Sequence, residues 1–194
     1  MRRLGALETA PWIRSVFSSG MGLDWIHETL GRTGALLEGH FRHGALHSTH
    51  LFRPSALAWQ AGVLSHFVEL FTAATPLRPP HRLLSVRGRG LFFGDALARG
   101  WGIPLEPSAA LERRGDPWVV MDVLFPADLA MLREAGATRV LGLVAVEPAE
   151  VCAGLLRHGL SGSWLLEAGW ALRREEDCGF CAVGAPAVSA AELG

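Results

Sequence analysis

A small set of side chains carries the chemistry open to this chain. Arg87 and Arg89 stand in "VRGRG", with Gly88 and Gly90 beside them, between an apolar run and a helical one. Arginines next to helix N-terminal N–H groups make a competent anion site. Asp122 lies near the end of the apolar run "PWVVMDV", at the kind of loop position where parallel sheets bind ligands. Cys178 and Cys181 form a CxxC, and His40, His43, His47 and His50 crowd one short stretch. Each has a plainer reading: solvated arginines, a turn or helix-capping aspartate, a turn holding two small thiols. One CxxC does not define a zinc site, because two further ligands are needed and Cys152 or a histidine would have to supply them. A thioredoxin-like role fits less well, since that motif precedes a helix early in a βαβ unit. "GRGLFFGDA" is not a dinucleotide fingerprint, because Phe93 occupies the place of its third glycine.

The elements that must position these groups follow from periodicity. Leu23, Ile26, His27 and Leu30 predict a helix, and "GALLEGHF" with "STHLFRP" predicts two extended pieces about a glycine turn. From Pro54 to Thr72 one apolar stripe predicts a single helix with proline near its start. Thereafter "RLLSV", "IPLE", "PWVVMDV" and "TRVLGLVAV" alternate with "LFFGDALARG" and "PADLAMLREAG". Such alternation predicts βαβ units around a mostly parallel sheet whose strands are buried on both faces. Gly100 and Gly102 close one helix and Gly136 another. A helix near Ala149 to Arg157, a "GLSGS" break and a tryptophan-bearing segment complete the reading. We expect one domain over residues 1–194: a helix/hairpin/helix region at 1–75, a parallel α/β core at 76–160 and a small C-terminal extension at 161–194.

Composition narrows the functions. The formal net charge is −1 and 49% of residues are hydrophobic, which suits a globular core and offers no polyanion-binding surface, so no nucleic-acid partner is expected. All 18 basic residues are arginine, so no lysine serves as Schiff base, general base or phosphate-binding ammonium. No apolar run approaches the roughly 20 residues of a membrane span. "MRRLGALETAPWIRS" lacks the apolar run of a signal peptide, and three cysteines are an odd number for a disulfide framework. The expected compartment is the cytoplasm. Trp101, Trp118, Trp164 and Trp170 are read as core or interface anchors.

Taken in order, four stretches resemble the orotate phosphoribosyltransferases, of the type I phosphoribosyltransferase fold. "GALLEGHFRHGALHSTHLF" is similar to that family's early hairpin, and "LLSVRGRGLFFGDALARGWGIP" to its strand, pyrophosphate loop and helix, with Gly90 and Gly94 at the family's glycines. "VVMDVLFPADLAMLREAGATRVLGLVAV" resembles the strand, ribose-phosphate loop, helix and next strand, and "EEDCGFCAVGAP" a C-terminal ending of some bacterial members. The resemblance runs from about Gly34 to Pro186. It implies an α/β fold with a mostly parallel central sheet flanked by helices, Mg²⁺-carried phosphoribosyl pyrophosphate (PRPP) as substrate if the chain is active, and a homodimer. Residue by residue it assigns pyrophosphate contacts to the Arg87–Gly90 loop and ribose contact, the one catalytic position, to Asp122. Arg113 and Arg114 lie where the family has its flexible, lysine-bearing catalytic loop.

The chain departs from that pattern three times. Met121 replaces the first of the paired acids. Phe125, Pro126, Ala127 and Asp128 replace a loop rich in hydroxyls and glycine, removing donors and adding a negative charge. "PSAALERRGDP" is too short for a lid and has no lysine. We therefore expect impaired or lost transferase activity with a retained binding or regulatory role, and an anionic partner such as phosphate, pyrophosphate or PRPP at the arginine loop. The competing readings are an active transferase with a modified PRPP site, and a zinc or redox module centred on Cys178 and Cys181.

Overall fold

The computed structural model describes residues 13–15, 23–75, 78–86, 90–108, 118–168 and 170–190. Their elements run β1 (Ile13–Ser15), α1 (Leu23–Arg32), β2 (Leu36–His43), β3 (Leu46–Phe52), α2 (Pro54–Ala58), α3 (Ala61–Ala74), β4 (Leu83–Val86), α4 (Leu91–Trp101) and β5 (Leu105–Ser108). β6 (Trp118–Leu124), α5 (Asp128–Glu134), β7 (Arg139–Val146), α6 (Pro148–His158), β8 (Ser161–Ala168), β9 (Arg173–Arg174), α7 (Gly179–Ala182) and β10 (Val188–Ser189) follow.

The main sheet has the order β1-β8-β7-β6-β4-β5, and every neighbouring pair in it is parallel. Its strands read as unbroken apolar runs because helices cover both faces. Side chains alternate along β6: Trp118 and Val120 join Phe67, Phe71, Phe93 and Leu97 from α3 and α4, while Val119 and Met121 join Leu129, Leu132, Val151 and Leu155 from α5 and α6. The Leu83, Val119 and Val140 runs thus lie side by side in a parallel sheet, as the alternation predicted. The sheet also takes in β8, from the stretch read as a C-terminal extension, and β1.

Strand order reverses between β4 and β6. The chain leaves β4 through α4 to β5 on one side, and builds β6, β7 and β8 on the other. In open α/β sheets such a reversal opens a crevice beyond the strand C-termini, where ligands bind. The starts of α4 and α5 both face this point.

Two local expectations differ from the structure. The single helix over Pro54 to Thr72 is two, α2 and α3, with a turn at Trp59 and Gln60 and no glycine or proline to announce it. The turn lets Leu57 of α2 reach the same core as Phe67 and Phe71 of α3. "GLSGS" is not a break throughout, since Ser161, Gly162 and Ser163 begin β8. At Gly162 a Cβ would lie 2.6 Å from Leu155 Cδ1 of the overlying α6.

A second sheet, β10-β2-β3-β9, carries the predicted hairpin at its centre. Its edges are two-residue strands from the C-terminal segment: β9 antiparallel to β3, β10 parallel to β2. Between Glu38 and Phe41 the hairpin slips register by one residue, a bulge at Gly39 and His40.

Candidate functional site

The crevice at the strand reversal is built from the ends of β4 and β6 and the starts of α4 and α5. A helix start leaves its first N–H groups without intrahelical partners, and these are the donors an anion would use. In α4 they are already engaged. The Asp122 carboxylate accepts from Gly90 N at 3.1 Å, Phe92 N at 3.4 Å and Phe93 N at 2.7 Å. The cap thus comes from a strand residue some thirty positions away in sequence, not from the residue preceding the helix.

Close packing makes that reach possible. Gly90 has φ 90°, and a Cβ there would fall onto the Val120 carbonyl. At Gly94 a Cβ would lie 2.5 Å from Val120 Cγ1. Without side chains at these positions α4 settles directly on β6 and brings its N-terminus to Asp122. Asp122 is 5% exposed, and this burial raises its carboxyl above the ordinary aspartate value, against the N–H bonds from Phe93, Phe92, Gly90 and Leu91, which lower it.

The loop after β6 shows the same device. Phe125 N donates to the Asp128 carboxylate at 3.0 Å, and Asp128 N donates back to the Phe125 carbonyl at 3.0 Å. Asp128 is buried, at the first position of α5. Met121 is fully buried against the α5 and α6 side chains, where an acid would face an apolar wall.

Of the residues singled out from sequence, Gly90 and Asp122 meet directly. Arg87, Gly88, Arg89, Arg113 and Arg114 lie outside the described residues. The hairpin approaches the crevice through His43, whose ring is 6.2 Å from that of Phe125. His43 Nε2 lies 3.1 Å from Ser48 Oγ, and Ser48 Oγ donates in turn to the His50 carbonyl. Burial lowers the His43 pKa, opposed by a hydrogen bond from its ring to the backbone of His50, which raises it. His50 stacks on Trp170 with centroids 5.0 Å apart.

The other face of the hairpin carries a second constellation. His40 Nε2, His47 Nδ1, Cys178 Sγ and Cys181 Sγ all lie within 4.8 Å of one another. The sulfurs of Cys178 and Cys181 are 3.4 and 3.5 Å from His40 Nε2, and Cys181 Sγ is 3.3 Å from His47 Nδ1. Backbone N–H groups of Cys181 and Phe180 face the Cys178 sulfur and lower its pKa. Cys152 sits on α6 against the other core and takes no part. Sequence reasoning named both cysteines and both histidines but had no signal that would bring them together.

Comparison with solved structures defines the class. The chain has the type I phosphoribosyltransferase fold. It superposes on the orotate phosphoribosyltransferase of Aeropyrum pernix with a TM-score of 0.59 and 22% identity, over 72% of this chain and 92% of that one. Against Leishmania donovani UMP synthase the TM-score is 0.63 and identity 13%, over 76% of this chain and 36% of that longer one. Against the adenine phosphoribosyltransferase of Leishmania donovani the TM-score is 0.53 and identity 14%, over 82% and 85%. By sequence, no family profile and no curated protein matches the chain. No helix among the described residues is long and apolar enough to cross a membrane.

Proposed function

We propose that this chain is a phosphoribosyltransferase-fold protein that has lost PRPP-dependent transfer and works as a binding or regulatory protein. The observation carrying this reading is the Asp122 carboxylate seated on the N–H groups at the start of α4, where a pyrophosphate would take its hydrogen bonds. Asp128 does the same for Phe125 N in the neighbouring loop. Two carboxyl side chains thus take N–H groups on which this reading would seat phosphate, and each, where ionised, would repel it. Magnesium-bound PRPP is a poor fit to this donor set. An anion at Arg87 and Arg89 would be held without the α4 N–H groups that Asp122 occupies. Three free thiols fit a reducing compartment, so cytoplasmic residence belongs to the same proposal.

Calorimetric titration tests the reading. PRPP with Mg²⁺ should give no binding at micromolar concentrations, and orotate or other bases should yield no nucleotide. Sulfate should bind weakly, and less well to Arg87→Ala. A variant with Phe125→Thr, Pro126→Thr, Ala127→Gly and Asp128→Gly should gain affinity for PRPP. A dissociation constant on the order of micromolar for the unmodified protein, about −8 kcal/mol, would overturn the proposal in favour of an active transferase.

A further inference from the structure

We propose that His40, His47, Cys178 and Cys181 bind one zinc ion, in a closed structural site that fastens the C-terminal segment to the β2–β3 hairpin. The inference is independent of what the crevice binds. It rests on the ligand set, its geometry, its second layer of contacts and its place in the fold.

Two thiolates and two imidazoles are a donor set that suits zinc, whose structural sites are four-coordinate and tetrahedral. Bonds of about 2.3 Å to sulfur and 2.0 Å to nitrogen place sulfur and nitrogen about 3.5 Å apart across a tetrahedral edge. Three of the four sulfur–nitrogen separations are 3.4, 3.5 and 3.3 Å, and no pair of ligand atoms is more than 4.8 Å apart. The two ring nitrogens, at 2.8 Å, need to part by about half an ångström to reach the corresponding edge. Side-chain rotation of that size lies within the reach of two hairpin residues.

The surroundings fix His40 in its metal-binding form. His40 Nδ1 lies 3.0 Å from the Ala185 carbonyl, so it carries the proton and donates, leaving the Nε2 lone pair aimed into the cluster. This is the outer contact that ligating histidines characteristically make. Phe180 stacks on the His40 ring with centroids 5.3 Å apart and an interplanar angle of 17°, excluding water from one side. His40, His47 and Cys178 are 7%, 6% and 7% exposed. All four positions come from the protein, so no site remains open for substrate, and the role is structural.

Topology supplies the need. Among the described residues, apart from this cluster and the stacking of Trp170 on His50, the C-terminal segment grips the hairpin through β9 and β10, each only two residues long. Strands so short hold little by themselves. A metal shared by β2, β3 and the two ends of the CxxC turn would supply the missing attachment.

The test begins with the full-length chain purified under reducing conditions and dialysed against metal-free buffer. Elemental mass spectrometry should find one zinc per chain, and X-ray absorption two sulfur and two nitrogen neighbours at about 2.3 and 2.0 Å. The combined Cys178→Ser and Cys181→Ser variant should lose the metal, and Cys152→Ser should keep it. Chelation should lower the melting temperature and open residues 170–190 to protease. If the double variant fails to fold, the unmodified protein still decides. A metal-free preparation that titrates with zinc chloride more weakly than micromolar, a Cys178–Cys181 disulfide formed under reducing conditions, or full zinc content in the double variant would overturn the proposal.

Discussion

Asp122 holds a carboxylate in a place from which water is almost excluded, and the start of α4 is what makes that tolerable. Replacing it with alanine strands at least two buried N–H groups, and the expected loss is about 2–3 kcal/mol in urea unfolding at neutral pH. Its pH signature is specific. Burial raises the carboxyl in the folded chain, so the native state binds the proton more tightly than the unfolded chain, whose value is about 3.9. Stability from this group is therefore largest in acid and falls as pH climbs from the unfolded value through the folded one, then levels off. The stability difference between wild type and Asp122→Asn should shrink across that window. A difference that grows with pH there would mean that the N–H bonds outweigh burial. None of this was legible in the sequence beyond the bare possibility of a capping aspartate, because the helix it caps follows Gly90, thirty-two residues earlier.

Among the elements, β4, β6 and β7 were legible because strands buried on both faces write themselves as apolar runs, and α4 to α6 because their stripes are helical. The division of α2 from α3 was not, since neither Trp59 nor Gln60 is a helix breaker by type. The bulge at Gly39 and His40 was equally silent, yet it re-aims a side chain of the cluster. Contact between α4 and β6 depends on one backbone position above others. Gly90→Ala puts a Cβ onto the Val120 carbonyl at a φ that alanine resists, so α4 must lift from the sheet. We expect a loss of at least about 3 kcal/mol, and with it faster amide exchange at Phe92 and Phe93. An alanine variant as stable as wild type would show that α4 does not rest on β6 as described.

For the whole molecule, the homodimer expected from the family resemblance stands as a proposal, and Trp59, 89% exposed, is the kind of large apolar side chain that a partner covers. Sedimentation should show a dimer at micromolar concentrations; a species that stays monomeric at high micromolar concentration would refute it. The two sheets have one property in common that bears on a different matter, the order in which the chain completes itself. Among the described residues β1 pairs with β8 alone, and the β2–β3 hairpin finds its outer strands in β9 and β10. The early segments thus wait for the late ones. At about 5–20 residues per second, synthesis from His43 to Cys178 takes roughly 7–30 s, during which the hairpin's edges lack β9 and β10, and its buried histidines, His40 and His47, have each other but not the two cysteines. An exposed hairpin edge held open for that long is a template for pairing with another chain, so the nascent protein is at its most aggregation-prone while its first third is already made.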